Sequence, residues 1–162
     1  MYGAILGDII GSPFEFDRGD RTKEFDLFSK GCDFTDDSVM AIAVGEALLA
    51  VGAEATVKEI EEAVITNMQD WGKRYPYAGY GGRFRHWLKE KSPKPYGSYG
   101  NGSAMRVSAA GWLYDSMERT REVAKATANV THNHPEGIKG AEATASAIYM
   151  ARNESSKEEI KE

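Results

Sequence analysis

The sequence predicts an all-α fold, on three observations. No segment alternates apolar and polar residues at period two, and Val/Ile/Thr-rich runs bounded by turns are missing. Apolar residues recur at helical spacing instead: Ile60, Val64 and Met68 fall four apart and give one helix an apolar stripe. Two boxes that mark helix starts are present, Thr56 with Glu59 and Ser156 with Glu159. The 162 residues are enough for one domain with a real core, and 1–162 reads as a single domain.

The elements follow in order. Residues 2–11 read as a short helix stopped by "GSP", with Gly3, Gly7 and Gly11 on one face, a spacing that predicts close packing against a neighbouring helix. Residues 14–34 read as a loop, and 36–51, "DDSVMAIAVGEALLAV", as an apolar, buried helix. The stretch "ATVKEIEEAVITNMQDWGKRY" opens on the Thr56 box and is amphipathic. Residues 75–103 are dense in Gly, Pro and aromatics, with one short helix at about 84–89; a loop this long in a domain is usually functional or disordered, and its aromatics argue against disorder. Helices are expected at about 104–116, 118–129 and 136–152, and another begins at Ser156.

Composition narrows the function. A net charge of −5 argues against broad nucleic-acid backbone binding, which needs a basic face, but leaves room for a small anion held by backbone amides. The one cysteine, Cys32, excludes an intrachain disulfide and a Cys-based zinc site, and a reducing, cytoplasmic setting is the simplest reading. The N-terminal apolar stretch is short, carries Asp8 and lacks a basic leader, so neither a signal peptide nor a membrane span is expected.

Four segments could carry chemistry. In "FTDDS", Thr35 is a good N-cap, and Asp36 and Asp37 suit the helix dipole; that alone explains many such triplets. The same hydroxyl and carboxylates are hard oxygen ligands for Mg²⁺, Mn²⁺ or Ca²⁺, and adjacent helical residues point about 100° apart, so each carboxylate could face a different ion. Glu15, between two phenylalanines in "GSPFEF", is either an exposed loop acid or a proton-transfer group. The Gly-rich "YGSYGNGSAMRV" is either a turn whose Ser103 caps the next helix or an anion cradle, with Tyr96 and Tyr99 able to stack on a base. In "THNHPEG", Pro135 suits the first position of a helix, and His132 is either a surface polar group or a ligand to a phosphate or sugar. No hydrolase triad stands out, and Cys32 has no evident activating partner.

Taken together and in this order, "GAILGDIIGSPFEF", "FTDDSVM", "YGNGSAMRV" and "VTHNHPEGIKGAEATASAIYMA" resemble the ADP-ribosylglycohydrolase family over residues 1 to about 152. The resemblance implies an orthogonal all-α helical bundle with two Mg²⁺ ions, or Mn²⁺, in a central cleft. It implies Thr35, Asp36 and Asp37 as metal ligands, Glu15 beside them as acid/base, and Glu15, Asp36 and Asp37 as the catalytic set. It implies that Gly100, Asn101, Gly102 and Ser103 cradle the diphosphate of ADP-ribose, that His132 lies near it, and more loosely that Tyr96 or Tyr99 stacks on adenine. The implied reaction is hydrolysis at the anomeric carbon of ribose, freeing ADP-ribose from a protein side chain or a small acceptor, through a transition state with oxocarbenium character.

One departure is large. The family carries a second metal motif near its C-terminus, Asp-x-Asp followed by Ser or Thr. Here the acids after His134 are all glutamates, at 136, 142, 154, 158, 159 and 162. The expectation is therefore the N-terminal half of such a domain, incomplete at its C-terminus. It predicts exposed apolar patches or a self-associated form that hides them, and weak activity unless a complementing C-terminal chain supplies the other wall. A non-catalytic ADP-ribose-binding or structural relative is the alternative.

Overall fold

Every regular element among the described residues is a helix. The computed structural model describes residues 1–17 and 23–161. The order is α1 (Tyr2–Gly11), a 3-10 turn (Ser12–Asp17), α2 (Asp36–Val51), α3 (Val57–Arg74), α4 (Gly82–Trp87), α5 (Gly102–Met105), α6 (Ser108–Leu113), α7 (Met117–Asn129), α8 (Pro135–Arg152) and α9 (Lys157–Lys161). Residues 18–22, within the expected loop 14–34, lie outside the described residues, as does Glu162.

Helix α2 is the centre. Val39, Met40, Ala43, Val44, Ala47 and Leu48 are all sealed, so the helix is apolar round most of its circumference and packs on α1, α3 and α6. Small residues let its neighbours come close. Helix α3 presents the expected stripe, with Ile60, Val64 and Met68 fully buried, and its capping box forms in both directions: Thr56 N–H and its hydroxyl donate to Glu59 Oε2 at 2.8 and 2.7 Å, and Glu59 N–H donates back at 3.3 Å. Helix α7 lies on α3, α8 lies on α7, and α5 and α6 rest against α8. The second box also forms, with Ser156 hydroxyl and N–H on Glu159, and starts α9.

Three expectations are corrected. Residues 14–17, expected to open the loop 14–34, belong instead to the 3-10 turn Ser12–Asp17; Pro13 is tolerated at its start, where no helical N–H is needed. The expected helix 104–116 is two short helices, broken at Arg106–Val107 where the arginine side chain turns into the core. The third concerns α1. Among the described residues nothing lies within 4 Å of where a Cβ would stand on Gly3, Gly7 or Gly11, so they leave that face open instead of packed. None of the residues of α1 is buried, and Tyr2 and Leu6 are 86% and 45% exposed. An apolar groove of about 210 Å³ runs between Ile5 and Ile9 of α1 and Ile42 and Trp71.

Glycines therefore separate into two kinds, which stability can distinguish. A Cβ on Gly111 would stand 2.6 Å from Ile148 and 2.8 Å from the Ala145 carbonyl, where α6 meets α8. Gly111→Ala is expected to cost about 1–3 kcal/mol in urea unfolding. Gly7→Ala, in open space inside a helix, is expected to be neutral or to stabilise by up to about 1 kcal/mol.

Candidate active site: an acidic cluster beside a cation-lined cavity

The first wall starts at Asp8, the one charged residue of α1. Its carboxylate accepts the Thr35 N–H at 2.8 Å, the Ser38 N–H at 3.1 Å and the Thr35 hydroxyl at 2.6 Å. Asp8 thus caps α2 from another element, placing negative charge at the positive end of that helix. Thr35 remains the sequence N-cap, accepting the Asp37 N–H at 3.3 Å. One carboxylate oxygen each from Asp8, Glu15 and Asp37 lies within 4.8 Å of the others.

Such crowding has an electrostatic consequence. Burial, then the charges of Asp8 and Glu15, push the Asp37 carboxyl up to about 6. Asp36 is likewise pushed up to about 6, by burial first and then by Asp37. Three oxygens at this separation fit one hard divalent cation, whose ligands stand roughly 2.1–2.4 Å from the ion, after small side-chain adjustments. Asp36 does not join this triplet. It lines the adjoining cavity. Burial first, and then the Asp36 charge, push the Tyr80 phenol up to about 12.

That cavity, of about 360 Å³, is the second wall. Gly81, Gly82 and Arg83 from the start of α4, Tyr96 and Ser98 from the following loop, and Gly102, Arg106 and His132 bound it. The Arg106 side chain is 1% exposed and has no carboxylate partner among the described residues. Its guanidinium donates to the Thr127 carbonyl at 3.1 Å and to the Thr131 hydroxyl at 2.7 Å.

The loop is stitched to the His132 segment. Tyr96 and Ser98 N–H groups both donate to the Thr131 carbonyl, at 3.2 and 3.4 Å. Gly97 N–H donates to Asn133 Oδ1 at 2.8 Å from a backbone with φ of 66°, a conformation that favours glycine. These bonds hold Tyr96 beside His132, ring centroids 6.2 Å apart. His132 is 4% exposed; burial, and then Arg106, push its imidazole down to about 4, so it is neutral near pH 7.

The structure brings together Glu15, Asp37 and Thr35 at one wall, and Asp36, Gly102 and His132 at the other. Tyr99, 73% exposed, lies against His134 instead, and Gly100 and Asn101 are exposed beside it. Ser103 does not cap the helix that follows. It is buried, and its hydroxyl donates to the Gly137 carbonyl at 2.7 Å, tying α5 to α8. Sequence reasoning missed Asp8, Arg106 and Thr131 as site residues. For Asp8 and Arg106 a signal existed: each is a lone charge in a small, apolar run, "GAILGDIIG" and "GSAMRVSAAG".

Comparison with known proteins gives this arrangement a class. The ADP-ribosylglycohydrolase family model matches residues 1–162. The chain belongs to the ADP-ribosylglycohydrolase family, a family of hydrolases. Among curated relatives it is similar to ADP-ribosylhydrolase ARH3 of Homo sapiens, 32% identical over 98% of this chain and 50% of the relative. ARH3 of Bos taurus is 33% identical over 100% of this chain and 51% of the relative, and ARH3 of Gallus gallus 27% over 93% and 48%. The chain spans about half the length of the curated relatives it matches.

The neutral imidazole makes a pH prediction. His132 titrates near 4 in the fold and from 6.5 as the ordinary value in the unfolded chain, so between these the unfolded state binds more protons. Stability supplied by this group is present above about 6.5 and is lost as pH falls through about 4. The raised acids Asp36 and Asp37 act in the opposite sense, so the comparison is with His132→Asn. The stability difference between wild type and variant, from urea unfolding at each pH, is expected to shrink by about 3 kcal/mol between pH 7 and pH 4.

Proposed function

We propose that this chain carries a Mg²⁺-dependent ADP-ribosylglycohydrolase site, acting on ADP-ribose linked to a protein side chain or a small acceptor, and that Mn²⁺ can substitute. The observation that carries the reading is the juxtaposition of the Asp8–Glu15–Asp37 cluster with a cavity holding two arginines and a neutral histidine. Family membership supports the same chemistry. The acidic wall suits cations that hold ribose hydroxyls, and the cationic wall suits the diphosphate.

Each residue then has a role. Asp37, Glu15 and Asp8 offer carboxylate oxygens to a cation, with Asp36 and the Thr35 hydroxyl available from the same helix start. A bound divalent ion supplies polarisation of a water and of the ribose hydroxyls. Glu15 would accept a proton from a water at the cluster, and Asp36 and Asp37 would complete the catalytic set. Gly102 leaves room for the His132 ring edge at the cavity, and Ser103 fixes the loop that carries Gly100 and Asn101 at its rim. Tyr96, rather than the exposed Tyr99, is the better stacking platform, and Tyr99 is assigned to the rim.

Four carboxylates and one hydroxyl are a partial shell for two ions, which want about twelve oxygens between them. Turnover by this chain alone is therefore expected to be weak, and self-association or a complementing chain that adds acids would raise it. The lone cysteine suits a reducing, cytoplasmic compartment, and no helix among the described residues is long and apolar enough to cross a membrane.

Calorimetry and a release assay test the reading. ADP-ribose is expected to bind more tightly with Mg²⁺ than without it. Asp37→Asn is expected to weaken Mg²⁺ at least about tenfold, since a bound carboxylate is lost. Slow, Mg²⁺-dependent release of ADP-ribose from a modified peptide would support the enzyme. Binding indifferent to Mg²⁺, with no release under any condition, would instead favour a non-catalytic ADP-ribose-binding relative, and no binding at all would sink both.

A further inference from the structure

We propose that Thr131 is a positioning residue: clamped by the buried Arg106, its hydroxyl fixes His132 as the Nε2–H tautomer, so that the cavity presents one N–H donor to an anionic oxygen. Donor and acceptor capacities at Thr131 fix the tautomer. Arg106 has donors only, so at 2.7 Å the Thr131 oxygen must accept. The same oxygen lies 2.7 Å from His132 Nδ1. Thr131 is fully buried, and among the described residues its hydroxyl has no other side-chain or carbonyl partner. Its proton therefore goes to Nδ1, because a sealed hydroxyl without an acceptor loses a whole hydrogen bond. With Nδ1 accepting, the single proton of a neutral imidazole sits on Nε2.

Nε2 has no protein partner among the described residues, and His132 lines the cavity. The ring edge carrying Nε2 and Cε1 faces Gly102, where a Cβ would stand 3.0 Å from both atoms. The Arg106 guanidinium is uncompensated by any described carboxylate, and among the described residues its Nε has no partner. Arg83 adds a second cation to the lining, and Asp36 is the one acid there among the described residues. An N–H donor among these groups selects a phosphate-type oxygen over a cationic or purely apolar ligand. The ligand class deepens the ADP-ribose reading and rests on it, whereas the tautomer stands without it.

Nitrogen-15 spectra of the histidine side chains at pH 7.5, with His132→Asn assigning the resonance, test the first part. A protonated Nε2 with an accepting Nδ1 is expected, and an Nδ1–H form or an averaged mixture would overturn the proposal. Thr131→Ser keeps the hydroxyl and should keep the tautomer; Thr131→Val should leave a mixture. Inorganic pyrophosphate is the ligand probe. Its affinity should fall about tenfold in Thr131→Val, as expected for loss of one oriented hydrogen bond to a charged group, and stay within about twofold in Thr131→Ser. Equal affinity in both variants, or no pyrophosphate binding to wild type, would overturn the donor role. If Thr131→Val does not fold, the wild-type spectrum and the Thr131→Ser comparison decide. Pyrophosphate binding without ADP-ribose binding would strike the functional reading and leave this one standing.

Discussion

A guanidinium enclosed in an apolar core is the constraint around which the cavity is organised. Removing such a charge from water costs several kcal/mol even after the surroundings relax, and no carboxylate among the described residues repays it for Arg106. The fold answers with dipoles. The Thr127 carbonyl in the last turn of α7, the negative end of that helix, accepts one bond, the Thr131 hydroxyl accepts another, and the face of Phe84 lies 5.7 Å from the guanidinium carbon. Burial lowers the arginine pKa to about 10, which still leaves it charged at neutral pH. To keep these bonds, the chain must break between α5 and α6, and the end of α7 must sit against that break.

The cleft is polar in the electrical sense. Acids gather where α1 and the 3-10 turn meet the start of α2, and cations gather where α4, α5 and the end of α7 meet. The whole chain carries a charge of −5, yet its cavity is locally cationic. Net charge describes the surface seen by a large partner, whereas a small ligand responds to the few groups lining its pocket. That is why an acidic protein can offer a site for a diphosphate.

Much of the fold was legible in the sequence because the signals were local. The starts of α2 and α8 follow from Thr35 and Pro135, and α3 from a box and a stripe with a four-residue repeat. The split at Arg106 was not legible, since its cause lies in partners on and just after a later helix, at Thr127 and Thr131. The same holds for the site. "FTDDS" announced itself, but Asp8 looked only like a charge that spoils a membrane span; its partners Thr35 and Ser38 are distant in sequence and its role appears only in three dimensions. Ser103 had the grammar of a cap, yet the nearby Gly137 carbonyl offered a buried hydroxyl a better partner. The open glycine face of α1 likewise shows that small-residue spacing permits close packing without supplying a neighbour.

The shallow seating of α1 has a thermodynamic consequence. None of its residues is buried, and among the described residues its polar tie to the head of α2 is the Asp8 carboxylate. Elements with so little enclosed surface open at free energies well below that of global unfolding. Each such opening would withdraw Asp8 from Glu15 and Asp37 and uncover the N–H groups at the head of α2. The acidic wall is thus a conformational population as much as a constellation, and anything that binds across it must first recruit the docked helix. Amide exchange in α1 and occupancy of the cluster are then two readings of one equilibrium.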